Sequence, residues 1–236
     1  MGPMAAPPKP VTSSHGTALA PDRTTRDDAR VTRPRPEADL SPQMLLSAYA
    51  QGAFPMADPE TGRVDYFTCD PRAIFEPATW QPGERLARTI RNGPFEVRID
   101  SAFEAVVTAC ATDRSNENRS WIGERIRSAF HDLHELGLAH SVEAWVGDRL
   151  AGGLYGVALG GAFFGESMFT VREPWARDAS KVAFAALMRR LGRRGFTLVD
   201  SQYANPHVLA LGAVEIPFDR YLKRLQAAIT LDVDFD

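Results

Sequence analysis

The chain has 236 residues, 44% of them apolar and 24% charged, with a formal net charge of −3. That is the make-up of a soluble globular protein long enough to bury a sizeable core. It excludes a globally basic nucleic-acid binder while leaving room for a local basic patch. The two cysteines, Cys69 and Cys110, lie far apart and outside any Cys-x-x-Cys pattern, so neither a disulfide framework nor a zinc site is expected. No stretch offers the ~18 apolar residues of a membrane span, and the N-terminus has no signal-peptide apolar region. The expected location is the cytoplasm.

Residues 1–39 hold 7 of the 17 prolines, with five arginines between positions 23 and 35 set against five acids. Such a segment cannot bury enough apolar surface to offset its ordering entropy, which predicts a disordered tail. Ser41 as N-cap and Pro42 at the first helical position then open a short helix, Gln43 to Ala50, closed by Gly52. From residue 40 to 94, including Asp70-Pro71-Arg72 and the basic segment Arg85 to Arg91, the chain reads as a small N-terminal α/β subdomain.

Residues 95–236 read as a larger, catalytic domain. Its first strand, Phe95 to Ile99, alternates, and Asp100 or Ser101 caps a helix through Ala111. Ile122, Ile126, Phe130 and Leu133 recur at helical spacing, predicting a helix from Trp121 to Leu136 that Gly137 stops. His140 to Val146 and Leu150 to Leu159 form a hairpin about Gly147-Asp148-Arg149. Ala162 to Thr170 adds a third antiparallel strand. An apolar helix from Ala179 to Leu191 leads to a strand from Phe196 to Ser201. A short helix near His207 to Leu211 and an amphipathic one, Asp219 to Ile229, end the pass.

Two of these strands carry polar groups where such groups are costly. Glu166 stands inside the apolar run Phe163 to Phe169, and the strand from Phe196 ends in Asp200-Ser201-Gln202, with Asn205 close behind. A charge in an apolar strand destabilises it unless paired or used, so a polar pocket within the core is the expected functional site. Other chemistry finds less support. His131 and His134 lack a third ligand, so no metal is expected. Ser167 lacks the second glycine of a Gly-x-Ser-x-Gly elbow, which opposes a hydrolase.

The element order is similar to that of the GCN5-related N-acetyltransferases, an α/β (α+β) fold, and makes an acyl-CoA-dependent N-acyltransferase one hypothesis. The connection from Val171 to Ser180 opposes it. It has no glycine, Pro174 removes a donor, and Glu173 repels the pyrophosphate that backbone N–H groups there would have to cradle.

The motifs point elsewhere. Ser41-Pro-Gln-Met-Leu-Leu-Ser-Ala-Tyr49, Gly52-Ala-Phe-Pro55, Asp70-Pro-Arg72 and Leu133-His-Glu-Leu-Gly137 resemble segments of bacterial leucyl/phenylalanyl-tRNA–protein transferases. So do Gly152-Gly-Leu-Tyr-Gly156, Gly165-Glu-Ser-Met-Phe169, Asp178-Ala-Ser-Lys181, Asp200-Ser-Gln202 and Gly212-Ala-Val-Glu215, all in collinear order between residues 40 and 225.

The resemblance implies transfer of Leu, Phe or Met from aminoacyl-tRNA to a protein beginning with Arg or Lys, which marks that protein for degradation. The ester is already activated, so no cofactor is implied. By the same resemblance Asp200 and Gln202 are the catalytic pair, the carboxylate orienting or deprotonating the incoming amine and the amide holding the aminoacyl group. Glu166 contacts the donor's α-ammonium, Asn205 completes the polar network, and Leu154, Phe163 and Met168 line the side-chain pocket. Trp121 stacks on the terminal adenine, while Arg85, Arg88, Arg189 and Arg193 are candidate phosphate contacts.

A non-catalytic tRNA-binding module is a further alternative, and a monomer is the working expectation. Departures from the family pattern are Tyr66-Phe67 in place of Trp-Trp, Glu37-Ala38 in place of Gly-Gly, and Phe218 where Arg is usual. An insertion, Arg172 to Ala176, is expected near the donor pocket.

Overall fold

The computed structural model describes residues 37–58, 60–112 and 120–236, so the expected tail lies outside the described residues but for its last three positions. Helix α1 (Pro42–Ala50) begins where Pro42 predicts. Ser41 occupies the N-cap position without a side-chain cap, and Pro42 spares the helix one orphan N–H instead. A two-stranded antiparallel hairpin follows, β1 (Phe54–Ala57) with β2 (Val64–Phe67). Strands of four residues are too short to show an alternation, and the sequence predicts neither.

The remaining strands are β3 (Arg72–Phe75), β4 (Glu96–Ile99), β5 (Ala139–Val146), β6 (Arg149–Leu159), β7 (Ala162–Thr170), β8 (Leu198–Asp200) and β9 (Val214–Ile216). They form one seven-stranded mixed sheet in the order β4-β5-β6-β7-β8-β3-β9. The helices are α2 (Glu84–Asn92), α3 (Phe103–Thr112), α4 (Glu124–Glu135), α5 (Ala179–Arg194), α6 (Pro206–Ala210) and α7 (Phe218–Ile229). This is a mixed α/β fold. The predicted three-strand meander is present, and the chain turns from β5 into β6 at Gly147, whose φ of 59° suits glycine.

Two expectations are corrected. Trp121 precedes its helix rather than opening it, because α4 begins at Glu124 with Gly123 at the N-cap. The helix expected to be capped by Asp100 or Ser101 opens at Phe103; Ser101 donates to Glu143, and Asp100 is engaged by β5. The Asp100 carboxylate accepts from the Ser141 N–H at 2.6 Å and faces His140 Nδ1 at 2.8 Å, holding the β4–α3 connection to β5.

Alternation along the strands separates two apolar clusters, one on each face of the sheet. Ile74, Phe164 and Leu198 pack with Val106, Phe130 and Tyr221 on the face that α1, α3, α4 and α7 cover. Phe75, Phe163 and Val199 pack with Leu187, Met188 and Leu191 of α5 on the other.

One feature of the topology makes the site. Among the described residues the β7–β8 pair is the sheet's only parallel one, and α5 provides the long crossover that parallel pairing demands. The pairing stops at Phe164↔Asp200. Beyond it the strands part, and the gap between them opens into a cavity.

Candidate active site

The cavity has a volume of about 250 Å³. Gly165 to Met168 of β7 form one wall and Asp200 to Tyr203 the other. Phe75, Leu154, Phe184, Leu187 and Val199 give it an apolar floor, and Phe54, Met56 and Trp121 stand on the side of the N-terminal hairpin.

Glu166 reaches this cavity because β7 is bulged. Ser167 pairs with Tyr155 and Gly165 with Gly156, which leaves Glu166 as the extra, unpaired residue. Such a bulge re-aims one side chain out of the alternation. The Tyr49 hydroxyl donates to Glu166 Oε1 at 2.8 Å, and Gln202 Nε2 approaches the same oxygen at 3.5 Å. Burial pushes the Glu166 carboxyl up to about 8, against the pull of the Tyr49 hydrogen bond. Tyr49, buried against Phe164 and next to this carboxyl, is itself raised well above the ordinary tyrosine range, by burial first.

Across the cavity Asp200 is fully enclosed. Arg72 holds it bidentately, Nε to Oδ1 at 2.8 Å and Nη2 to Oδ2 at 2.6 Å, with both side chains at 0% exposure. Burial opposes the charge on Arg72, and the Asp200 carboxylate beside it overrides that, holding the guanidinium protonated. Arg72 also donates to the Gly52 carbonyl at 2.9 Å and lies over the rings of Tyr221 and Phe54. Gly52 has to be glycine here. Its φ is +76°, and a Cβ would stand 2.9 Å from the Tyr221 ring.

Comparison with known proteins assigns the family. A model of the leucyl/phenylalanyl-tRNA protein transferase matches residues 74–226, and a model of that protein's N-terminal domain matches residues 38–70. The leucyl/phenylalanyl-tRNA–protein transferase of Rubrobacter xylanophilus is 52% identical over 83% of this chain and 98% of its own. Its counterpart in Chlorobaculum parvum is 49% identical over 81% and 96%. This chain belongs to the leucyl/phenylalanyl-tRNA–protein transferase family. Solved structures resemble it only slightly: the C-terminal domain of a putative lysylphosphatidylglycerol synthetase from Agrobacterium fabrum aligns at TM-score 0.41 and 14% identity, covering 79% of this chain and 56% of that one.

In this transferase the structure brings Glu166, Asp200, Gln202, Asn205, Leu154, Met168 and Trp121 to one cavity. Phe163 is not among its lining residues. It is fully buried beneath, stacked 5.7 Å from Phe235. Asn205 accepts from the backbone N–H groups of His207 and Val208 and so caps α6, the turn-forming role its position before Pro206 also allows.

The basic candidates lie elsewhere. Arg85 borders a neighbouring cavity with Trp80, Glu84, Asp178 and Lys181, and pairs with Asp178 at 3.4 Å. Arg88, Arg189 and Arg193 are exposed on α2 and α5, which pack together. In the same arginine cluster Arg190 and Arg194 are occupied, donating to the Phe235 carbonyl and to Asp234.

The insertion is also displaced from its expected place. Pro174–Ala176 forms a 3-10 turn with Trp175 under Arg149, and Val171 is bonded to Ala151, so the segment lies at the hairpin end of β6 and lines neither cavity. His134, one of the two histidines of α4, is stacked on Phe103 at 4.0 Å.

Among the described residues, Asp100, His140 and Asp236 could meet around a metal ion, but they border neither cavity. Sequence reasoning missed Arg72, Tyr221 and Tyr49. Arg72 and Tyr49 stand inside motifs quoted above, so their presence was visible and their partners were not.

Proposed function

We propose that this transferase takes Leu, Phe or Met from aminoacyl-tRNA in the cavity where β7 and β8 part, and joins it to the N-terminal amine of a protein beginning with Arg or Lys. The observation that carries the reading is the meeting of one carboxyl, Glu166, with the Gln202 amide, 3.5 Å apart, above an apolar floor. The aminoacyl ester needs no activation. The enzyme has to exclude water, seat the donor side chain and bring the amine to the ester carbonyl, and such positioning supplies roughly 7–11 kcal/mol of barrier lowering.

Glu166 takes the donor's α-ammonium, which distinguishes an aminoacyl group from a plain acyl group. Leu154, Met168, Phe184 and Leu187 receive a side chain that is not branched at Cβ, aliphatic or aromatic, the thioether adapting to each shape. The Gln202 amide holds the ester carbonyl, where a fixed donor is worth most as negative charge develops on oxygen. Trp121 and Met56 flank the place for the terminal adenine. The acceptor amine, with an ordinary pKa near 7.7–8.0, attacks as the neutral form.

A GCN5-related acyltransferase scaffold fits this reading, because the single parallel step in an otherwise antiparallel sheet makes the gap. The expected biological consequence is degradation of the extended protein in the cytoplasm. The test uses charged Leu-, Phe- and Met-tRNA with Lys- and Arg-started peptides, read by mass. Peptides longer by one Leu, Phe or Met residue support the reading. Extension from acetyl-CoA alone, or tight tRNA binding with no extension, defeats it.

A further inference from the structure

Asp200 has four acceptor sites, and all four are taken by protein donors. Oδ1 receives Arg72 Nε at 2.8 Å and the Gln202 backbone N–H at 2.9 Å. Oδ2 receives Arg72 Nη2 at 2.6 Å and the Tyr221 hydroxyl at 2.7 Å. An ionised carboxylate offers about four lone-pair sites, so none is left for an incoming amine.

Gln202 is what this arrangement holds. Its φ is 58°, in the left-handed region that a side-chain-bearing residue occupies at a cost of about 1–3 kcal/mol and keeps only where its surroundings over-determine it. The surroundings here do so. Its N–H is fixed by Asp200, and its carbonyl accepts from the Ala73 N–H at 2.9 Å and the Cys69 thiol at 3.3 Å. With both backbone groups pinned, only the side-chain amide remains for the cavity.

Arg72 and Tyr221 do not line that cavity. We propose that Arg72 and Tyr221 are positioning residues of the transfer reaction, which act by saturating Asp200 so that it serves as a rigid frame for Gln202 and not as a proton acceptor. The guanidinium crosses from β3 to β8, and Tyr221 brings the register of α7 to the same carboxylate. The site's geometry is therefore set in part by two side chains that do not line the cavity.

This proposal rests on the functional reading above, and the experiment separates the two. Tyr221→Phe keeps the ring under Arg72 and removes one hydrogen bond to Asp200. Single-turnover transfer should fall about tenfold, the worth of one hydrogen bond to a charged group, with KM for charged tRNA within about twofold of wild type.

The deciding arm combines Tyr221→Phe with Gln202→Ala. If Tyr221 acts through Gln202, the double variant is no slower than Gln202→Ala alone, whereas a general structural defect multiplies the two losses. Arg72→Lys, which keeps the charge but loses the bidentate fork, is taken through the same cycle and answers the question if Tyr221→Phe does not fold. Multiplied losses, or undiminished transfer in the single variant, overturn the proposal. Absence of transfer by the wild-type protein defeats the functional reading instead.

Discussion

The two walls of the cavity are built on opposite principles. On the β8 side both carboxylate oxygens of Asp200 are matched by protein donors and both backbone groups of Gln202 are tied down. On the β7 side Glu166 stands at a bulge with one good hydrogen bond, from Tyr49, and its neighbour Met168 is flexible and half-buried. A saturated carboxylate shapes its surroundings. An unsaturated one, raised to about 8 by burial, is still in need of a partner. On the proposed function, the saturated carboxylate fixes the geometry of its wall while the unsaturated one meets the donor's amine.

The largest effect should come from breaking the saturated wall. Arg72→Ala leaves Asp200 buried and unpaired, which costs about 3–5 kcal/mol of folding stability. Urea unfolding measures it, and a loss under ~1 kcal/mol would show that the pair is not the strut described.

The opposite wall should respond in recognition. Glu166→Gln should reduce the preference for Phe-tRNA over N-acetyl-Phe-tRNA as donor by roughly tenfold or more, the value of a charge-assisted hydrogen bond. An undiminished preference excludes the contact. The wild-type pH dependence follows from the same group. Its carboxyl is raised to about 8, so at neutral pH it is mostly protonated in the free enzyme, and ionisation as pH rises provides the anion for an ammonium. An α-amine loses its proton near 7.7–8.0, so donor affinity should rise from pH 6.5, peak close to 8 and fall beyond, and the rise should vanish in Glu166→Gln.

Smaller still is the expected change in the proposed side-chain pocket. Met168→Ala should shift the ranking of Leu, Phe and Met donors by about 1 kcal/mol, as kcat/KM ratios, with little change in tRNA affinity. An unchanged ranking would move the side-chain pocket elsewhere. The mildest effect concerns the basic faces. With a net charge of −3 for the whole chain, phosphate contacts must be few, so log Kd against log salt should have a slope of about 2–4 in magnitude. Neutralising Arg85 and Arg88, or Arg189 and Arg193, should flatten it without touching donor ranking. A slope indifferent to both pairs places the tRNA on another surface.

Much of the sheet was legible from sequence because its middle strands are long. β7 matches its expected limits, and the β5–β6 turn follows from Gly147. β3 and β9 were not, since strands of four and three residues carry no readable period, and β3 starts with a buried arginine that ordinary burial preferences argue against.

The polar residues of the site were visible as misfits in apolar strands, whereas their partners were not. Arg72 and Asp200 lie 128 positions apart, and nothing local marks the pairing. Phe163 illustrates a third limit. The bulge at Glu166 shifts the alternation by one, so Phe163 and Met168 pack in the same apolar cluster despite their odd and even numbers. Phe163 lies one layer too deep to touch the cavity, and only the strand register reveals it.

The central claim is that the donor binds where β7 and β8 separate, with its α-amine on Glu166. A crystal structure with a stable amide analogue of phenylalanyl-adenosine tests it most directly. The account predicts the α-amine nitrogen at about 3 Å from the Glu166 carboxylate, the carbonyl beside Gln202, and the adenine against Trp121. An analogue seated instead in the cavity beside Trp80 and Arg85, or with its α-amine turned away from Glu166, would contradict it.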